Sequence, residues 1–324
     1  MNKQQITNLT KSLHHNKIPI LNDIALHCGS PILGTTKASR IEGIIAQYHL
    51  YLTQWHNLTH RSTLSIDIGI KNFSYCKTTT NTSATASSSN WPVIITHWEK
   101  LNLDSKYGST YKPLLHQDTV LDTKRYLNHI TNNLIEDVLL PHSTNVKIME
   151  IQRTRSNNNA KTLPTILTNH TLENLLIAKM YPCLVVPMTS MKLIHFWLYR
   201  FITKSSTLKL KKTNKIIRRD LILGWFGKLY QLDTIHSGDS IRKSSGLTTN
   251  ELVEHLGLPK GDKTDDLIDS LLYNLCINCQ INHLQQFHKY IQQGGNMIDF
   301  VEDANQFHLD LIQPVVEKYG LEIK

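Results

Sequence analysis

Three segments of this chain carry carboxylates where apolar neighbours set the pattern. In residues 64–73, Asp67 stands between Ile66 and Ile68, and Gly69 then permits a tight turn before Asn72 and Phe73. The β-branched isoleucines read as strand, so an acid among them either faces solvent at an edge or is held for a purpose. In residues 146–152, Glu150 interrupts a second apolar run. In residues 261–272, Asp266 and Asp269 are three apart and Asp265 and Asp269 four apart, and either pair shares one face of a helix. Like charges at that spacing repel, and the dipole at a helix start offsets only part of the repulsion. A buried acid is costly unless it is paired or bound to a cation. Two such acids on strands and a further pair on a helix therefore suggest one shared cation site. The spacing does not choose between Asp265 and Asp266.

The elements that must position these acids follow from periodicity. Residues 1–55 read as helical with a sharp break, where Gly29 and Pro31 stop one helix and Gly34 and Thr35 can start the next. Lys37 and Arg40 at that second helix are placed to meet phosphates. The strand holding Asp67 is followed by an antiparallel partner from Phe73, and residues 78–90, almost all Ser, Thr, Asn and Ala, read as a loop. A third strand follows over 91–103. Leu121, Leu127, Ile130, Leu134, Ile135 and Val138 then show helical spacing over 119–140. The strand with Glu150 comes next, with Arg153 and Arg155 directly after it, then a helix over 162–180 and a fifth strand over 183–188. Residues 191–201 are helical and aromatic, and 204–219 are densely basic, with Lys209, Lys211, Lys212, Lys215, Arg218 and Arg219. The last acids open a helix with Leu267, Leu271, Leu272 and Leu275 on its buried side, and the remainder reads as helical.

Composition narrows the partners. Among 324 residues there are 35 Lys and Arg against 26 Asp and Glu, a formal charge of +9, with 17 His besides. This balance favours a polyanion such as nucleic acid. Hydrophobic residues make up 40% of the chain, enough for a substantial core, and no apolar run approaches the ~20 residues that span a bilayer. The five cysteines, at 28, 76, 183, 276 and 279, are too scattered for a disulfide framework and fit a reducing compartment. Cys276 and Cys279 form a Cys-x-x-Cys within 271–279, which reads as an amphipathic helix. Zinc there needs two more ligands, so the pair reads as core thiols. The first 22 residues contain no acid, and Lys3, Lys11, His14, His15 and Lys17 give them the charge of an organellar presequence without its arginines.

The order strand, strand, strand, helix, strand, helix, strand, basic insertion and acidic helix resembles the RNase H-like sheet. Within that superfamily, Ser65-Ile-Asp-Ile-Gly-Ile-Lys-Asn-Phe73, Glu150-Ile-Gln-Arg-Thr-Arg-Ser156 and Lys263-Thr-Asp-Asp-Leu-Ile-Asp-Ser270 resemble the yeast mitochondrial Holliday junction resolvases, relatives of bacterial RuvC. The segment before the sheet is similar to the SAP-like module of the budding-yeast branch. The resemblance implies an α/β fold with a mixed five-stranded sheet flanked by helices. It implies a SAP-like DNA-binding module over 1–55 and a nuclease domain over 60–324 with a basic insertion at about 200–250.

The implied activity is endonucleolytic resolution of four-way DNA junctions in the mitochondrial matrix, by paired cuts from a homodimer. Asp67, Glu150, Asp266 and Asp269 would hold Mg²⁺ or Mn²⁺, two ions per site, with Asp265 as the alternative to Asp266; RuvC-type spacing of three favours Asp266. Lys37, Arg40, Lys71, Arg153, Arg155 and the basic segment would meet DNA. A DNA-binding protein with an inactive sheet is the competing expectation. An actin-type ATPase would need duplicated domains and further Gly-rich loops, which a chain with 14 Gly does not display, so no nucleotide cofactor is expected. Junction binding should weaken steeply as salt rises from about 50 to 200 mM in mobility-shift titrations, with log K falling by about 0.9 per phosphate neutralised for each decade of salt. A flat response would contradict the reading of the basic segments.

Overall fold

The computed structural model describes residues 3–58, 60–80, 91–114, 119–142, 144–152, 163–210, 214–222, 229–232 and 264–324. Three strands form an antiparallel meander: β1 (Ser62–Asp67), β2 (Phe73–Thr80) and β3 (Val93–Leu101). On the far side of β1 lie β4 (Val146–Glu150) and β5 (Val185–Met188), both parallel to it. The five expected strands are all present. A sixth, β6 (Tyr230–Leu232), is added within the insertion and pairs in parallel with β3, so the order is β5-β4-β1-β2-β3-β6.

Alternation along β1 and β2 decides what each face of the sheet meets. Leu64, Ile66, Phe73 and Tyr75 pack into one apolar cluster with Ile130 and Leu134 of helix Val120–Leu134 and Leu172 and Leu176 of helix Leu163–Met180. The opposite face presents Thr63, Ser65 and Asp67 from β1 and Ser74, Cys76 and Thr78 from β2. This small, mostly polar surface receives the long helix Asp265–Gln293.

The long helix is not the amphipathic element expected over 271–279. Every residue from Ser270 to Leu284 is buried. It is enclosed by the sheet, by the C-terminal helix Met297–Tyr319 and by the N-terminal helices α2 (Ile18–Cys28) and α3 (Lys37–Leu50), with α1 (Lys3–His14) packed on α3. Leu13, Leu21, Ile24, Ile41, Ile44 and Trp55 belong to the same apolar core as Leu271, Leu275 and Ile312. The sequence break at 29–36 falls between α2 and α3. Gly29 there has φ 69°, so the backbone favours glycine, and a Cβ would also have to displace the Gln280 side-chain amide, 2.6 Å away.

A polar stripe runs along the long helix at every fourth residue, Ser270, Asn274, Asn278 and Asn282. Ser65 Oγ donates to the Ser270 carbonyl (2.6 Å) and Thr78 Oγ1 to Asn274 Oδ1 (2.6 Å). Asn274 Nδ2 donates to the carbonyls of Cys76 (3.0 Å) and Thr63 (3.2 Å). Buried Arg61 bridges Asn278 Oδ1 (2.9 Å) and Asn282 Oδ1 (2.8 Å). These bonds specify one axial position of the helix on the sheet, since any slide would leave buried polar groups unpaired. Replacing Asn274 with Ala is expected to cost about 1–3 kcal/mol, because it strands the Thr78 hydroxyl. Exposed Gln292→Ala should change stability by less than about 0.5 kcal/mol. Thermal and urea unfolding of the two variants would check the contrast.

Candidate metal centre

The register of the two parallel strands aligns two acids. Ile66 pairs with Met149, so Asp67 and Glu150, one residue on, end β1 and β4 at the same edge of the sheet. That is the edge where parallel strands commonly present functional groups. The start of the long helix is pinned across it by three donors. Ser74 Oγ reaches the Asp266 carbonyl (2.6 Å), Trp98 Nε1 the Leu267 carbonyl (2.9 Å) and Ser65 Oγ the Ser270 carbonyl. Asp266 and Asp269 thereby come to the same edge as Asp67 and Glu150.

The electrostatics report a concentration of negative charge. Asp67 is only 6% exposed. Burial raises its pKa well above the usual carboxylate range, reinforced by a hydrogen bond with Glu150 and by the charges of Glu150, Asp269 and Asp266. Asp269 is pushed up to about 7, mainly by burial, against the opposing guanidinium of Arg218, with which it forms an ion pair. Asp266 is also raised by burial, with Lys100 acting the other way. The phenol of Tyr273, one turn beyond Asp269, is pushed up first by burial and then by Glu150, Asp67 and Asp269. Glu150 is steadied by Gln152, whose side chain donates to Glu150 Oε2 (3.1 Å) and whose backbone N–H donates to Glu173 Oε2 (2.9 Å).

Asp265 sits differently. It forms an ion pair with Lys215 (2.6 Å) and is not among the charges felt by Asp67, whereas Asp266 is. Lys215 and Arg218 project from helix Asn214–Asp220, which packs on the long helix. Arg219 is half-buried on the same helix, and Lys71 is exposed in the turn between β1 and β2. Lys37 and Arg40 lie apart from the acids on α3, with Lys37 Nζ donating to the His14 carbonyl (2.6 Å). Arg153, Arg155, Lys211, Lys212 and the side chain of Lys209 lie outside the described residues.

The donor set suits a hard divalent cation. It offers carboxylate oxygens, and Asp269 Oδ1 is buried without any hydrogen-bond partner. Among the described residues, no three of the acids stand at mutual ligand distance in this arrangement, Asp269 being paired with Arg218. Two neighbours escaped the sequence reading. Tyr273 was signalled by its position four after Asp269. Lys100 lies opposite Ser74, which lies opposite Asp67, in one row across β3, β2 and β1.

A mixed sheet in this order, with acids ending its first and fourth strands and opening a late helix, is the RNase H-like fold. The family model described as mitochondrial resolvase Ydc2 / RNA splicing MRS1 matches residues 63–287, and the chain belongs to that family. Among solved structures, the yeast mitochondrial Holliday junction resolvase Ydc2 matches with a TM-score of 0.52 and 18% identity, covering 86% of this chain and 99% of that one. Thermus thermophilus RuvC in complex with Holliday junction substrate matches with a TM-score of 0.32 and 10% identity, covering 66% of this chain and 91% of that one. No curated protein matches the chain.

The raised carboxylates predict how metal-free stability depends on pH. From about 4 to about 7, an unfolded Asp269 has lost its proton while the folded one retains it, so the folded state binds more protons and stability falls as pH rises. The contribution approaches about 1.4 kcal/mol per pH unit for each such proton. Denaturant titrations across that window should show this decline, and Asp269→Asn should make it shallower. An unchanged slope in the variant would contradict the assignment.

Proposed function

We propose that the chain is a structure-specific endodeoxyribonuclease that resolves four-way DNA junctions. The observation that carries this reading is the convergence of Asp67, Glu150, Asp266 and Asp269 at one sheet edge, within the span matched by the resolvase family model. The likeness to the yeast mitochondrial Holliday junction resolvase Ydc2 supports the substrate and the mitochondrial setting. The excess of basic residues supports a polyanionic partner.

Asp67, Glu150, Asp266 and Asp269 would hold the metal, with Asp265 outside the set through its pairing with Lys215. Bound there, divalent ions such as Mg²⁺ or Mn²⁺, two per site, would activate a water and stabilise charge on the leaving 3′-oxygen. The chain's own residues do the positioning. Gln152 orients Glu150, while Ser74, Trp98 and Ser65 keep the first turns of the long helix, and hence Asp266 and Asp269, against the strands. Lys71 and Lys100 flank the acids and are suited to a scissile phosphate and its neighbours. Lys215 and Arg218 now neutralise Asp265 and Asp269, and Arg218 becomes available to DNA phosphates once a cation replaces it at Asp269. Resolution needs two matched cuts, so two copies related by a two-fold axis are the expected assembly.

A second reading, a binding protein for junctions or structured RNA without nuclease activity, is favoured by those same ion pairs, which satisfy two acids without metal. One experiment separates the two. With Mg²⁺ and a synthetic four-way junction, wild-type protein should nick two strands symmetrically, and linear duplex, RNA–DNA hybrid and structured RNA should stay intact. Asp67→Asn should lower cleavage by about 10²-fold or more, the effect of losing several kcal/mol of charge stabilisation, while junction affinity changes little. Junction binding with no cleavage by wild type at any Mg²⁺ or Mn²⁺ level would support the second reading instead.

A further inference from the structure

Far from the acids, three helices bring four metal-binding side chains into the centre of the protein. His27 comes from α2, Cys279 and His283 from successive turns of the long helix, and His308 from the C-terminal helix. All four are buried, with exposures of 0%, 1%, 3% and 0% in that order. His27 Nδ1 lies 3.3 Å from His283 Nδ1, and Cys279 Sγ lies 3.7 Å from His283 Nε2 and 3.5 Å from His308 Nε2. One ligand atom from each of the three imidazoles falls within 4.8 Å of the others. Tetrahedral zinc with bonds of about 2.0–2.1 Å to nitrogen and about 2.3 Å to sulfur needs N···N edges of about 3.3 Å and N···S edges of about 3.6 Å. With His283 Nδ1 as the ligand atom, the His27–His283 edge of 3.3 Å and the Cys279–His308 edge of 3.5 Å match those spacings, and the Cys279–His283 edge of 4.0 Å lies a few tenths of an ångström beyond them.

We infer that His27, Cys279, His283 and His308 form a structural zinc site that staples the N-terminal helices to the long and C-terminal helices. His308 Nδ1 is buried with no hydrogen-bond partner, whereas His283 Nδ1 also meets the His27 carbonyl oxygen at 3.3 Å.

The outer layer suits the role. His27 Nε2 faces Asn305 Oδ1 at 2.9 Å, a carbonyl oxygen able to orient a ligating ring whose Nδ1 takes the metal. Arg200 Nη1 stands 3.0 Å from the same Nε2 and 2.8 Å from Asn305 Oδ1. It lies beyond the ring atom left over for orientation. Burial pushes the Cys279 thiol up, and the Arg200 charge acts the other way. Metal binding releases the thiol proton to solvent, so the loaded site carries Zn²⁺ and one thiolate. A cavity of about 250 Å³ lined by Cys279, His283, Trp91 and Phe307 gives a way in. The Cys-x-x-Cys is thus not the ligand pair, since Cys279 acts with histidines from other helices.

The test uses the 324-residue chain carrying Asp67→Asn, stripped with chelator and titrated with Co²⁺. One equivalent should give the intense d–d bands of tetrahedral cobalt and a sulfur-to-cobalt charge-transfer band, both displaced by Zn²⁺. Cys279→Ser should lose the charge-transfer band. An octahedral spectrum without that band, or a band that survives Cys279→Ser, would overturn the assignment. Should Cys279→Ser fail to fold, X-ray absorption of the zinc-loaded parent chain decides. A shell of nitrogens with one sulfur supports the site, and a shell of oxygens overturns it.

Discussion

The structure depends on how one helix is held against one sheet. Ser270, Asn274, Asn278 and Asn282 meet Ser65, Thr78, the strand carbonyls and Arg61 in a buried strip of hydrogen bonds. Apolar packing alone tolerates a sliding helix, because oily contacts are non-directional. A buried amide left without its partner is not tolerated, at a cost of about 1–3 kcal/mol each. The polar strip therefore defines one register, and that register delivers Asp266 and Asp269 to the edge where β1 and β4 deliver Asp67 and Glu150. The acids repel one another, so the folding energy that holds them together must come from the remainder of this interface.

The basic helix Asn214–Asp220 belongs to the same balance. Without a cation, Lys215 and Arg218 supply positive charge to Asp265 and Asp269, and burial still drives Asp269 up to about 7. The partial character of that neutralisation shows in Asp269 Oδ1, buried without a partner. The segment that looked in sequence like a DNA-binding face thus also serves as counter-charge for the acids.

Much of the acidic site was legible in the residues. Asp67 and Glu150 each interrupt an apolar run, and an acid in that setting is rarely accidental because burying it is costly. The strands and their order were legible from β-branched runs and turn residues. Other features depend on contacts that periodicity does not encode. Asn274, Asn278 and Asn282 look like a solvent face by composition but meet the small polar face of the sheet, so the helix is enclosed rather than amphipathic. The three-residue β6 carries too little pattern to stand out in a basic segment. The pairing of Arg218 with Asp269 spans 51 positions. His27, Cys279, His283 and His308 come from three helices, and only Cys279 and His283 share a spacing that the sequence displays.

The central claim is that the four acids form a site for a divalent cation. Anomalous diffraction from crystals grown with Mn²⁺ tests it most directly. The account predicts a manganese peak between Asp67, Glu150 and Asp269, with Arg218 withdrawn from Asp269. A map at saturating Mn²⁺ with no peak there and the Arg218–Asp269 pair intact would contradict it.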